Sequence, residues 1–385
     1  MLQYPNSISS KLPKVGTTIF TVMSKLAHEQ GAINLSQGYP DFPVSPKLIE
    51  LVHENMLKGN NQYPPMPGVM ALRENIAHKM KQLYGRSYDP EHEITVTAGA
   101  TQAIFTAIMA LINEGDEVIL FTPAYDCYAP AVELAGGKPV YVQLNNKDYS
   151  IDWKQVKKMV TRHTRMILVN TPHNPTGSVL TKKDIDELTK ITKDNDIMIL
   201  SDEVYEHIVF DGQPHVSMAR YPELAERSII VYSFGKTFHV TGWKTGYAVG
   251  PANLMEEFRK VHQFNVFTAN APIQYALASF LADEENYLHV ALEYERKRNI
   301  FLDAVKASRF KLKPSKGTYF QLLDYSAITD EDDTEVASRW TKEYKVASIP
   351  VSVFYNNPVQ NHVLRFCFAK EDETLMRAGE ILTKI

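Results

Sequence analysis

The sequence predicts an α/β protein of two domains: a large one built on a mostly parallel sheet covered by helices on both faces, and a smaller α+β one. Three observations carry this reading. From residue 94 onward short apolar runs alternate with helical patterns, as in parallel sheets, whose strands are joined by helical crossovers. Beyond about residue 285 the pattern changes to one long helix followed by separated strands and helices. A length of 385 residues also exceeds what one ordinary core holds. The expected division is residues 1–45 as an N-terminal arm with part of the small domain, 46–284 as the large domain, and 285–385 as the small C-terminal domain.

Each element has its own justification. The first forty-odd residues are rich in Pro, Gly, Ser and Thr with little periodicity, and read as an extended arm. Helical patterning follows at 46–58 and 69–84; in the second, Val69, Leu72, Ile76, Met80 and Leu83 recur at spacings of three and four. Strands are expected at 94–97, 117–121, 166–170, 197–201 and 228–232, with a further one at 246–249. Helices at 101–112 and 181–194 lie among them, the latter opened by Thr181 and Asp184 at capping-box spacing. A helical pattern at about 287–308 then leads to strands at 318–323 and 363–368, with helices between and after.

Composition narrows the function classes. Hydrophobic content of 44% and charged content of 22% are those of a globular protein. A net charge of −4 and a pI near 6.3 leave no electrostatic footprint for nucleic acid. Cys127 and Cys367 are too few for a disulfide framework, so a reducing compartment is the simpler reading. The N-terminus lacks the apolar run of a secretory signal, and the most apolar helical stretch, 103–112, is too short to span a bilayer. A cytoplasmic protein with no membrane partner and no metal site is expected.

The chemistry gathers where the predicted strands end, because ligands of open α/β sheets bind outside the carboxyl ends of their strands. After 94–97 comes Ala98-Gly99-Ala100-Thr101, small residues whose backbone N–H groups at a helix start can reach an anion. After 117–121 comes Tyr125, an aromatic suited to stacking on a planar ligand. After 166–170, Pro172 and Pro175 bracket His173-Asn174 and could aim the Asn174 amide. Asp202 and Tyr205 follow 197–201; a carboxylate ending an apolar strand is costly unless a cation faces it. Ser233 and Lys236 follow 228–232, and burial lowers a lysine's pKa to expose a nucleophilic amine. Singly, each has a plain structural explanation: a tight turn, a packing ring, a rigid loop, a helix cap, a surface lysine. In one sheet they form the set that pyridoxal 5′-phosphate requires: a phosphate cradle, a ring stack, O3′ donors, an anion for N1 and an amine for the aldehyde.

With those segments in view, the sequence resembles the class I pyridoxal-phosphate aminotransferases of fold type I over essentially its full length. Within them it is most similar to the kynurenine aminotransferase and cysteine-conjugate lyase group, including its bacterial methionine aminotransferases. The resemblance is carried by Ser36-Gln37-Gly38-Tyr39-Pro40-Asp41-Phe42, Asn61-Gln62-Tyr63, and the stretches 171–177, 201–205 and 233–246. It implies Lys236 as the Schiff-base lysine, Asp202 as partner of the pyridinium nitrogen, Asn174 and Tyr205 as donors to O3′, and Tyr125 stacked on the ring. It implies that Gly99, Ala100, Thr101, Ser233 and Lys244 hold the phosphate, with Tyr63 reaching the phosphate of a neighbouring subunit in a homodimer. Gly38, Tyr39, Asn174 and Arg365 would bind substrate, Gly38 and Arg365 at its α-carboxylate. Lys244 departs from the broader class, which has arginine there; lysine neutralises a phosphate without the planar fork.

The activity so implied is transamination: methionine or an aromatic amino acid donates its amino group to a 2-oxo acid. Cysteine-S-conjugate β-lyase and kynurenine–oxoglutarate transaminase are the alternatives. No clear second arginine awaits a side-chain carboxylate, and Phe20, Tyr39, Tyr63, Phe267 and Phe354 are the aromatic residues expected near the site. Independently of the resemblance, Arg365 stands on a strand whose Leu364, Phe366 and Phe368 share one face, so the opposite face presents a residue suited to bidentate carboxylate binding.

Overall fold

A computed structural model describes residues 1–385 apart from Gln3 and Pro358. Its strands are β1 (Ile33–Asn34), β2 (Ile94–Thr97), β3 (Glu117–Thr122), β4 (Lys138–Gln143), β5 (Thr164–Asn170), β6 (Met198–Asp202), β7 (Ser228–Ser233), β8 (Gly246–Val249), β9 (Lys311–Leu312), β10 (Phe320–Asp324), β11 (Val346–Ala347), β12 (Ile349–Pro350) and β13 (Val363–Cys367). The large sheet runs β2-β8-β7-β6-β5-β3-β4. Its strands are parallel except β8, which is antiparallel to both β2 and β7.

The pleat assigns alternate residues of each strand to two cores. Ile167, Val169, Ile199, Ile230 and Tyr232 face one layer with the helices Met70–Tyr84 and Ala271–Leu281. Met166, Leu168, Leu200, Ile229 and Val231 face the other, against Ala100–Leu111 and Ala252–Asn265. The smaller domain has an antiparallel sheet, β12-β13-β10-β9, and its own core around Tyr294, Phe301, Trp340 and Phe366.

Three expectations need correction. The first forty residues are not all extended: Ile19–Glu29 is a helix, capped by Thr18 and anchored by buried Met23 and Ala27. Met23 joins the smaller domain's core, so a pattern of only two fully buried positions suffices to order this segment. The pattern at 287–308 is two helices, Glu285–Leu288 and Val290–Val305, meeting at His289. An unforeseen strand, β4, forms the sheet edge, where Pro139 costs no ladder bond that a central strand would need. The capping box at Thr181 and Asp184 is present. Among the described residues no helix is long and apolar enough to cross a membrane.

Candidate active site

Register builds the site. Asn170 of β5 lies beside Asp202 of β6, and Ser233 of β7 pairs with Gly246 of β8, which also pairs with Thr97 at the end of β2. The chain segments leaving these strands line a cavity of about 240 Å³, to which Arg365 and Phe320 of the smaller domain also contribute.

Lys236 lies in the one-turn helix Phe234–Thr237 that follows β7. Its Nζ donates to the Tyr319 hydroxyl at 2.6 Å and to the Gly38 carbonyl at 3.2 Å. Burial, with the Arg365 and Lys244 cations nearby, brings this amine down to about 8, against the opposing pull of Cys367 and Asp202. It is therefore an amine with a substantial neutral fraction near physiological pH.

Asp202 is almost fully buried, and no Lys, Arg or His among the described residues forms an ion pair with it. Its Oδ2 accepts from the Tyr128 hydroxyl at 2.5 Å and its Oδ1 from the Val204 amide at 3.2 Å. Burial pushes the carboxyl up to about 6; those two donors and the more distant Lys236 charge pull the other way. Asn170 fixes the neighbourhood: its Nδ2 donates to the Asp202 carbonyl at 2.9 Å, and its Oδ1 accepts from the Asn174 amide at 2.8 Å.

Arg365 is 1% exposed. One terminal nitrogen donates to Asn174 Oδ1 at 2.7 Å, the other to the Ser36 carbonyl at 3.3 Å, and its Nε is buried without a partner. The guanidinium carbon lies 3.8 Å from the centroid of Phe320, with Phe20 and Phe354 at 5.3 and 5.5 Å. Aromatic faces hold the fork in place without consuming its donors.

At the other end, the helix Ala100–Leu111 starts without a side-chain cap. Gly99 precedes it with φ +83°, and a Cβ there would stand 3.5 Å from Lys244 Nζ. A Cβ on Gly246 would lie 2.5 Å from the Tyr232 carbonyl and 3.2 Å from the Ala100 amide, so this glycine lets β8 approach the helix start. Uncapped N–H groups, a positive dipole end and a lysine make an anion cradle.

The residues present thus fit a ligand with an anionic group at the helix start, a cation facing Asp202 and a carbonyl within reach of Lys236, together with a carboxylate on Arg365. Gly38, Gly99, Ala100, Thr101, Tyr125, Asn174, Asp202, Tyr205, Ser233, Lys236, Lys244 and Arg365 all border the cavity. Tyr39, Tyr63 and Phe267 do not. Tyr63 is 84% exposed and packs edge-on against Phe267 at 5.4 Å, while Tyr39 lies under Lys370. Sequence reasoning missed Tyr128, Asn170 and Tyr319. An asparagine closing an apolar strand was a signal available for Asn170; Tyr128, three residues after Tyr125, and Tyr319, inside the expected strand at 318–323, had none.

Residues 30–382 match the family described as aminotransferase class I and II. The chain is 47% identical to a methionine aminotransferase of Escherichia coli, with all of both sequences covered. A crystal structure from Escherichia coli described as having a methionine aminotransferase function superposes with a TM-score of 0.97 at 47% identity, over 99% of this chain and 100% of the other. An N-succinyldiaminopimelate aminotransferase structure from Mycobacterium tuberculosis gives 0.94 at 37% identity, covering 98% and 100%. Human kynurenine–oxoglutarate transaminase 1 is 33% identical over 94% of each chain.

Proposed function

The chain belongs to the class I and II aminotransferases, and from that membership we propose that it binds pyridoxal 5′-phosphate at Lys236 and moves the amino group of methionine or an aromatic amino acid to a 2-oxo acid. The observation that carries the reading is that Asp202 and Lys236, both buried side chains, line one cavity: an acid without an ion-pair partner and an amine lowered to about 8.

In this reading the Ala100 and Thr101 amides, Ser233 and Lys244 hold the phosphate, with Gly99 leaving room for it. Tyr125 would stack on the ring, and Asn174 and Tyr205 would donate to O3′. Asp202, oriented by Tyr128 and Asn170, keeps the ring nitrogen protonated. When bound, the cofactor supplies an electron sink for the pair released as the substrate Cα–H bond breaks. Arg365 binds the substrate carboxylate, its unpartnered Nε being one donor for it. Lys236, neutral, would take the proton from the substrate Cα and return it two atoms further along, on the far side of the nitrogen, so protons balance over the half-reaction. A second half-reaction with a 2-oxo acid reverses these roles.

The side-chain pocket supports an apolar or aromatic donor. Arg365 is the one arginine bordering the cavity among the described residues, and Phe20, Ile104, Val204 and Phe320 supply apolar walls. We further propose a cytoplasmic homodimer in which the exposed Tyr63–Phe267 pair reaches the neighbouring site, and domains of 46–284 and 285–385 with 1–45 serving the smaller one.

One experiment tests the assignment. Purified protein incubated with the cofactor should turn yellow, and methionine and phenylalanine should discharge that absorbance far more readily than aspartate. Lys236→Ala should bind the cofactor without a covalent link and lose turnover. Ordinary turnover in Lys236→Ala, or an aspartate preference, would overturn the lysine assignment or the pocket reading respectively. Pyruvate and ammonia released from a cysteine conjugate without an acceptor would favour the lyase alternative.

A further inference from the structure

Tyr319 does more than pack. Its hydroxyl lies 2.5 Å from the Gly38 carbonyl and 2.6 Å from Lys236 Nζ, and Nζ lies 3.2 Å from the same carbonyl. A carbonyl only accepts, so the phenol donates its single proton to Gly38, and its oxygen must then accept an N–H from the lysine. The amine donates a second N–H to Gly38. With Cε and two N–H bonds committed, one tetrahedral position of the nitrogen is left, and in the neutral form that position is the lone pair.

We propose that Tyr319 is a positioning residue for the Lys236 amine: with the Gly38 carbonyl it holds two N–H bonds so that the lone pair is presented for proton transfer. The inference rests on Lys236 being the amine that moves the substrate proton. It adds a residue that leads into β10 of the smaller domain and a carbonyl from the N-terminal segment, neither of them in the sheet that carries the lysine. The ring cannot swing away. Tyr319 is fully buried, edge-on to Tyr205 at 5.1 Å and packed against Tyr294 at 5.6 Å, and the Thr318 amide is tied to the Ile208 carbonyl at 2.9 Å.

Tyr319→Phe isolates the hydroxyl, because the ring and its packing stay. Two readouts are expected to move. In cofactor-free protein, reductive methylation of Lys236 followed across pH by peptide mass spectrometry should show its midpoint shifted down by roughly half a pH unit or more, since the ammonium form loses a hydrogen-bond acceptor. The other ionisable groups facing the amine are Asp202, Tyr205 and Lys244 of the larger domain and Arg365 and Cys367 of the smaller. All are retained in the variant, and the hydroxyl that is removed also neighbours the Tyr205 hydroxyl, so the shift reports the phenol together with that contact. In the loaded enzyme, kcat with methionine should fall roughly 10- to 100-fold with KM little changed, the signature of a misaimed group rather than a lost binding contact.

An unchanged methylation midpoint together with kcat within twofold of wild type would overturn the proposal. So would a loss confined to KM, or one that tracks a lowered unfolding temperature, which would make Tyr319 a structural residue only. Failure of the underlying assignment looks different: Lys236→Ala would keep its turnover whatever happens at position 319.

Discussion

Asp202 answers to two opposing demands. Its carboxyl titrates at about 6 instead of 3.8, so the folded cofactor-free chain binds a proton more tightly than the unfolded chain does. The cost of that buried charge is absent below about pH 4, develops between pH 4 and 6, and is complete above. Asp202→Asn should therefore stabilise the cofactor-free protein by about 2–3 kcal/mol at pH 7, with the gain gone by about pH 4, while turnover of the loaded enzyme is lost. Urea titrations at pH 4, 5 and 7 would check this, and a difference independent of pH would contradict it. Polar residues of this kind were legible in the sequence because Asp202, Asn174 and Lys236 follow apolar runs at strand exits and Arg365 interrupts one within a strand. Tyr319 and Tyr128 were not. An aromatic beside other apolar residues reads as packing, and only the folded chain brings Tyr319 to a lysine 83 positions away.

The start of the helix Ala100–Leu111 depends on β8 running close beneath it. With Gly246→Ala, a methyl would press on the Tyr232 carbonyl and the Ala100 amide, neither of which is a flexible side-chain end. We expect a loss of about 1–3 kcal/mol in urea denaturation, and a cofactor affinity reduced by more than stability alone explains, measured by fluorescence titration. Retained affinity in a destabilised variant would show that the helix start does not hold the phosphate. Most strands were legible because continuous apolar runs bounded by turn residues mark buried parallel strands. Elements that broke that rule were missed. The edge strand β4 carries Pro139 and fully buries only Val142. Ala271–Leu281 buries eight of its eleven residues, so it shows no polar face and hence no period to detect.

The two domains are fastened behind the site by more than the chain. Arg298 forks onto Asp211 at 2.7 and 2.9 Å, and the Gly177 carbonyl accepts from the Lys316 and Gly317 amides. The exposed Tyr63 has no such anchor and, in the proposed dimer, serves its neighbour. Mixing Lys236→Ala subunits with Tyr63→Ala subunits should then recover about a quarter of wild-type activity, because each hybrid contains one site with both residues intact. No recovery on mixing would mean that Tyr63 acts within its own chain or not at all. This arrangement was readable only through family resemblance, since an exposed tyrosine in a loop carries no physical signal of a second subunit.

A chain made before its vitamin-derived partner arrives carries in its interior a carboxylate that no ion pair neutralises, and is the more easily opened for it. Ligands that bind only the native form shift that balance by mass action, and cellular proteases read the open fraction. For the proposed holoenzyme the expected consequence is a link to nutrition: starvation for vitamin B6 should lower the amount of the protein as well as its activity.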